Sequence, residues 1–367
     1  MALLYKNVCK NCIVEDIEKN IVLDCERMKY PHTGLYHFCK NLGNALLREL
    51  ADYEKLTIFA NKTVKGSFGD RANYLTQNSW HKMMLPCLHK YNLWHATHQG
   101  TQYYPYKNNI PVILTIHDLN FLKDSDKSLK KKQSYISELQ KKVDRADHIV
   151  TISNYTSDEL KQHINLGNKT PTVIYNGCNI DEYSVLILPG IIPSSPFLFT
   201  IGTITDKKNF HVLPRLLVGN DYTLVIAGIT HNISYRQLII QEAARYGVSD
   251  RLIFTGPVTE EEKNWYYSNC LLFLFPSLAE GFGLPVIEAM YFGKTVLLSK
   301  EGSLPEIAGS YAYYFDSFDA VDMQKTLTKA LNDAFFAEKA AFISNHAKQY
   351  SWSKAARSYL ELYRNSY

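Results

Sequence analysis

The sequence predicts an α/β protein made of two tandem domains, each around a mostly parallel sheet. Three observations carry that prediction. The chain has 367 residues, and at about 150 residues per domain this length suggests two. Short apolar runs alternate with stretches of helical spacing in the first half, and the alternation starts afresh in the second. Between the halves, residues 185–196 gather Pro189, Pro193 and Pro196 with Gly190, Ser194 and Ser195, the composition of a linker.

In the first half, 20–24 (NIVLD) reads as a buried strand. Over 33–50, Leu35, Phe38, Leu42, Leu46 and Leu47 recur at helical spacing. Residues 56–60 read as a strand, and so does the strongly apolar 111–116 (PVILTI). A polar helix follows at 127–144, then a strand at 148–152 (HIVTI) and a helix opening at Ser153. Residues 172–175 form a strand that ends in the turn Asn176-Gly177. In the second half, 196–201, 223–227, 252–255, 271–275 and 295–299 read as strands separated by helices. Thr259 with Glu262 three residues on is a capping box that opens one of them. The segment 350–367, with Trp352, Leu360 and Tyr363, reads as a terminal helix. The expectation is two Rossmann-like domains, about 1–185 and 195–345, facing across a cleft. Ligands of such sheets bind beyond the carboxyl ends of the strands.

Hydrophobic residues make up 46% and charged residues 21% of the chain, a globular mix that excludes a disordered or collagen-like protein. Seven cysteines, odd in number and widely spaced, suit free thiols in a reducing, cytoplasmic setting. The first twelve residues are too polar for a secretory leader. Cys9 and Cys12 form a C-x-x-C pair with no second ligand pair at a useful spacing, so no metal is expected there. No apolar run reaches the ~18 residues that would span a bilayer. The net charge is +4, and its surplus is concentrated in 123–145. That stretch reads either as a solvated helix face or as a surface drawn to an anionic membrane or a phosphorylated acceptor. No nucleic-acid motif accompanies it, so no nucleic-acid partner is expected.

The richest segment is 271–293, LLFLFPSLAEGFGLPVIEAMYFG. A strand runs into a loop with Gly281 and Gly283, and a helix then opens around Pro285 and ends at Gly293. Such a loop lets backbone N–H groups approach an anion at a helix N-terminus. Glu280 and Glu288 flank it, and carboxylates are good acceptors for sugar hydroxyls; as a bare pair they also read as acids near a helix start. Upstream, 199–209 (FTIGTITDKKN) is a strand ending in Gly202, followed by Lys207 and Lys208, which are able to neutralise a phosphate or simply to decorate a surface.

These residues together resemble the family-4 retaining glycosyltransferases of the GT-B fold. Phe275-Pro276-Ser277 through Glu280-Gly281-Phe282-Gly283-Leu284-Pro285 to Glu288 resembles that family's E-x7-E signature. Gly202-Thr203 with Lys207-Lys208-Asn209 resembles its phosphate loop, with Lys207 where Arg is usual. Residues 303–309 (SLPEIAG), 115–119 (TIHDL), 146–153 and Asn176-Gly177 match further blocks. The resemblance implies that Glu280 contacts the donor hexose and Glu288 the ribose. It implies that Lys208, with Gly202, Thr203, Lys207 and the backbone at Gly281, Phe282, Gly283 and Leu284, holds the diphosphate, mainly through Lys208. It implies that His117 reaches the sugar near the anomeric centre and that Gly34 lies in a loop near phosphate and acceptor; the family often has a second glycine in that loop, whereas 33–37 reads TGLYH, with Tyr36 narrowing the entrance. His95 resembles a cleft position. The resemblance also implies that the terminal helix 350–367 crosses back to the first domain.

The implied reaction is metal-independent hexosyl transfer with retention. It runs from a GDP- or UDP-linked sugar to a glycan or lipid-linked acceptor, in bacterial mannosyltransferase-like surface polysaccharide (lipopolysaccharide) synthesis, with no cofactor. The implied location is cytoplasmic and peripheral to the inner membrane face. Asp124-Ser125-Asp126 is the one D-x-D, but it precedes a lysine-rich helix away from the glycine loop. The rivals are a sugar-nucleotide epimerase of the same fold, a non-catalytic sugar-nucleotide-binding module, and a dinucleotide-dependent dehydrogenase. The last fits poorly, because Val286 stands at the third glycine position of a G-x-G-x-x-G.

Overall fold

The computed structural model describes residues 18–31, 33–124, 126–180, 185–333 and 336–367, with only the backbone of Phe336 and Ala337. The Cys9–Cys12 pair and Ser125 lie outside the described residues. The five described cysteines are all free thiols.

The first domain comprises β1 (Lys19–Asp24), α1 (Gly34–Glu49), β2 (Glu54–Ala60), β3 (Asn73–Thr76), β4 (Leu93–Ala96), β5 (Val112–Ile116), α2 (Leu129–Arg145), β6 (His148–Thr151), α3 (Asn154–His163) and β7 (Thr172–Val173). Its seven strands lie in the order β3-β2-β1-β4-β5-β6-β7, all parallel. Successive side chains serve opposite faces. Ile21 and Leu23 join the core under α1, whereas Val22 joins Trp94, Leu114 and Val143 on the face covered by α2.

The second domain comprises β8 (Phe197–Ile201), β9 (Thr223–Ala227), α4 (Ile233–Arg245), β10 (Leu252–Gly256), α5 (Glu260–Asn269), β11 (Leu272–Phe275), α6 (Leu284–Tyr291), β12 (Val296–Leu298), α7 (Leu304–Ala308), β13 (Tyr313–Tyr314), α8 (Ala320–Leu331) and α9 (Phe336–Lys348). Its parallel order β10-β9-β8-β11-β12-β13 reverses direction between β8 and β11. The crevice beyond the strand ends at such a switch point is where this architecture binds ligands. The Thr259–Glu262 capping box forms as the sequence predicts.

The final helix, α10 (Trp352–Arg364), returns to the first domain. Its buried residues Trp352, Ala355, Ala356, Tyr359, Leu360 and Tyr363 follow one helical face and complete the core against α1. Arg364 grips Glu54 with two hydrogen bonds, at 2.9 and 2.7 Å. The chain therefore crosses between domains twice, and the crossings touch. Cys178 N–H donates to Tyr350 C=O at 2.9 Å, and a Cβ on Gly177 would fall 2.2 Å from Trp352 N.

The structure corrects one expectation here. His95 does not face the cleft. It is buried in the core, with Nδ1 2.6 Å from the Tyr363 hydroxyl and Nε2 2.8 Å from Thr115 Oγ1. Its strand register points it at α10, a partner more than 250 residues away. Three strands escaped the sequence: the polar edge strand β3, β4 with its central Trp-His, and the two-residue β13.

Candidate active site

A cleft of about 550 Å³ opens between the domains. The loops after β8 and β11 supply one wall, and the loops after β1 and β5 the other. The residues expected to touch the donor, its phosphates or the acceptor line it: His117 and Gly34 on one side; Gly202, Thr203, Lys207, Lys208, Glu280, the loop from Gly281 to Leu284, and Glu288 on the other.

Lys208 Nζ lies 2.5 Å from Glu280 Oε1 and 4.6 Å from the centre of the Phe275 ring. The buried Ser277 hydroxyl donates to the same carboxylate oxygen at 2.6 Å. Glu280 is thus fixed by two donors. Lys207, one residue earlier, is exposed and finds no acceptor among the described residues. The sequence gives the diphosphate mainly to Lys208, yet the unpaired cation is Lys207.

Gly283 (φ 98°) is the N-cap of α6, a backbone state that suits glycine. The N–H groups of Phe282, Gly283 and Leu284 have no backbone acceptor among the described residues, so the helix start presents free donors to the cleft. Gly281 has a different reason. A Cβ there would lie 1.9 Å from the carbonyl oxygen of His117, in the other domain. Gly34 begins α1 behind the N-cap Thr33, and a Cβ on it would meet no protein atom within 4 Å. Packing does not demand that glycine.

His117 is buried, with Nε2 2.8 Å from the Thr97 carbonyl oxygen. A carbonyl only accepts, so Nε2 carries the proton and Nδ1 is left as an acceptor. Burial pushes its pKa down to about 4, against the opposing Thr97 hydrogen bond, so the ring is neutral near pH 7. Phe38 packs edge-on against it at 4.6 Å. Burial also raises the pKa of neighbouring Asp118, opposed by the Asn120 amide and Lys207.

Glu288 is buried and held by three side chains. Asn179 Nδ2 donates to Oε1 at 2.7 Å and the Tyr267 hydroxyl to Oε2 at 3.0 Å, while Lys263 Nζ lies 3.2 Å from Oε2. Lys263 also pairs with Glu260 at 2.7 Å, and both line the cleft. Burial opposes the Lys263 charge, yet Glu288 and Glu260 raise its pKa.

Two family models match this chain: "Glycosyl transferases group 1" over residues 189–350 and "Glycosyltransferase Family 4" over residues 62–182. The chain belongs to the family-4 glycosyltransferases of the GT-B fold. It is 31% identical over 243 residues to the serotype-specific mannosyltransferase WbdA of Escherichia coli, covering 61% of this chain but 29% of that one. It is 24% identical over 393 residues to the O-antigen chain mannosyltransferase B of Escherichia coli, covering 94% and 99%. Sucrose-phosphate synthase from Thermosynechococcus elongatus shares the fold, with a TM-score of 0.76 at 18% identity over 95% of this chain and 99% of that one.

In this family-4 chain, sequence reasoning missed the residues that position the signature. Lys263, Asn179 and Tyr267 around Glu288 belong to other elements, and no local pattern marks them. Glu306, within 303–309 (SLPEIAG), is a second omission. Its carboxylate accepts from the Asn154 and Tyr155 N–H groups at 2.7 and 2.9 Å, and from the Tyr175 hydroxyl at 2.8 Å. A residue of the second domain thereby caps α3 of the first. Ser153 Oγ adds a bond to Gly281 C=O at 2.8 Å, so the two walls are tied directly beside the glycine loop.

Proposed function

We propose that this chain transfers a hexose, with retention, from a GDP- or UDP-linked sugar to a hydroxyl of a glycan or lipid-linked acceptor. The single observation that carries the reading is the cleft wall after β8 and β11. There Lys207, Lys208 and the free amides of 282–284 surround one space opposite the neutral His117. In the reaction the bond from the anomeric carbon to the diphosphate oxygen breaks, one to the acceptor oxygen forms, and the acceptor hydroxyl's proton passes to the departing diphosphate. Negative charge develops on the departing diphosphate, and preorganised cations and amides stabilise it. Glu280, fixed by Lys208 and Ser277, accepts from hexose hydroxyls. His117 Nδ1 accepts from another. Glu288 retains acceptor capacity for a ribose hydroxyl, because a carboxylate has about four acceptor sites.

The names of the relatives support mannose as the sugar and O-antigen-type polysaccharide as the product. No metal takes part in this scheme. The reaction is read as cytoplasmic, at the inner membrane face when the acceptor is lipid-linked. The test is to incubate the purified chain with a panel of GDP- and UDP-sugars and acceptor glycans, with and without a chelator, and to read the new linkage by NMR. A retained anomer formed in the presence of chelator supports the scheme. Release of an epimerised nucleotide sugar without acceptor, or strict metal dependence, overturns it.

A further inference from the structure

The rim of the first domain carries an unusual surface. Asn78 caps a short 3-10 turn, Ser79–Lys82, directly after β3. The N–H groups of Met83 and Met84 both donate to the Trp80 carbonyl, at 3.0 and 3.1 Å. Trp80, Met83 and Met84 therefore share one face of a single turn. That face points to solvent, with Trp80 73%, Met83 81% and Met84 79% exposed. Residues 61–90 hold five Lys and Arg against one Asp. None of the five sits in an ion pair among the described residues. Lys62 and Lys65 follow the carboxyl end of β2 and Lys82 that of β3, and Ala60 pairs with Thr76 at that end. The turn thus leaves the sheet edge on the same side as Thr33 and Gly34 after β1, which line the cleft. Two strand spacings, roughly 10 Å, separate the ends of β3 and β1.

From this arrangement we infer that the Trp80–Met83–Met84 turn, with Lys62, Lys65 and Lys82, is a docking face for an anionic lipid bilayer. The indole belongs at headgroup level, the two thioethers just below it, and the flexible ammonium groups at the phosphates. The inference rests on the acceptor being lipid-linked, since the bilayer would then present its head to the cleft. Among the described residues no helix is long and apolar enough to span a membrane, so contact at this face is peripheral. Two other surfaces fit less well. On α2, Lys142 is buried against Gln99 and Glu138, Lys132 bonds the Leu122 carbonyl, and Arg145 bonds Asp147 and three carbonyls, leaving Lys130, Lys131 and Lys141 as its free charges. The exposed apolar run at 185–192 has no basic residue within it and lies along the acidic start of α5, with Ile187 N–H bonded to Glu261 C=O.

The test uses vesicles of phosphatidylcholine with 30% phosphatidylglycerol, added in about 0.1 M salt to the full chain. Trp94 and Trp352 are buried and Trp265 is half-buried, so the blue shift and the quenching by brominated acyl chains are read as the difference between the unmodified chain and Trp80→Phe, which should lose them. The variant W80S/M83S/M84S is expected to sediment with vesicles at least about tenfold less. The variant K62Q/K65Q/K82Q is expected to lose about a hundredfold in partitioning. K130E/K131E/K132E should bind as the unmodified chain does. Binding undiminished in the serine variant, or binding lost only with the α2 variant, overturns the inference. So does the absence of any vesicle binding while transfer to a soluble acceptor proceeds. The serine variant should keep that soluble transfer. Vesicle binding by a chain that transfers no sugar would leave this face standing and sink the proposed reaction instead.

Discussion

Replacing Lys263 by Met keeps the length of the side chain and removes its charge. In the folded chain the Lys263 and Glu288 side chains are 8% and 4% exposed, and 3.2 Å separates the charges. Removing one partner of a buried ion pair typically costs about 3–5 kcal/mol. Two neutral donors, Asn179 and Tyr267, remain on Glu288, and the cleft admits water, so the lower end applies. The surviving carboxylate faces Tyr267 from α5, Cys178 from the crossing segment and His37 from α1. With its cation gone, the buried carboxylate is left uncompensated and is no longer fixed in place for a ribose hydroxyl. At about 1.4 kcal/mol per decade, a loss of about 3 kcal/mol weakens nucleotide binding by roughly 150-fold. Calorimetric titration with GDP and with UDP measures it, and kcat at saturating donor should stay within a few-fold. Lys263→Arg should recover much of the affinity. If Glu288→Gln weakens nucleotide binding and Lys263→Met does not, the positioning argument is wrong. If neither does, the ribose role of Glu288 is wrong.

Lys208→Ala should lower kcat by about 100- to 1000-fold, the scale of one lost preorganised donor, with a smaller change in donor KM. Glu280→Ala should also cut transfer, and full activity in both variants would refute the assignment of this wall. Gly281→Ala places a methyl group 1.9 Å from the His117 carbonyl, so the domains must part; activity should fall while far-UV circular dichroism is unchanged, and small-angle scattering should report a larger radius. Burial lowers the pKa of His117 to about 4, and burial with a lesser effect of His117 lowers that of His95 to about 3. Both rings are neutral in the fold and protonate near 6.5 when unfolded. Their stability is present above pH 6.5 and drains away as pH falls toward 4, on the order of 3 kcal/mol for His117 alone. Denaturant midpoints that do not decline between pH 7 and 4.5 would contradict this.

What could be read from the sequence was what is local in the chain. The strand-loop-helix around Glu280 and Glu288 spans 23 residues, and its glycines, proline and apolar runs announce their own conformations. The same holds for 111–116 before His117, and for Thr259 and Glu262. What escaped was set by partners far apart along the chain. Glu306 meets Asn154 across 152 residues, and His95 meets Tyr363 across 268. Lys263 and Glu288 are only 25 residues apart, yet they sit on different helices whose packing no periodicity encodes. The pairing of Lys208 with Glu280, which leaves Lys207 free, also follows from the approach of two loops. A lone sequence ranks two adjacent lysines by convention and not by geometry.

The return of α10 to the first domain has a consequence for biosynthesis. Tyr359, Leu360 and Tyr363 finish a core begun by Leu42 and Leu46 of α1, so the first domain to leave the ribosome is the last to be completed. The second domain, made later, has all its strands before that helix emerges. At roughly 5–20 residues per second, the apolar face of α1 stays uncovered for tens of seconds during translation. A cut in the chain just before α10 would therefore spare the second domain, which lies nearest to it. It would strip the far half of its cover and leave that half for proteases and chaperones to find.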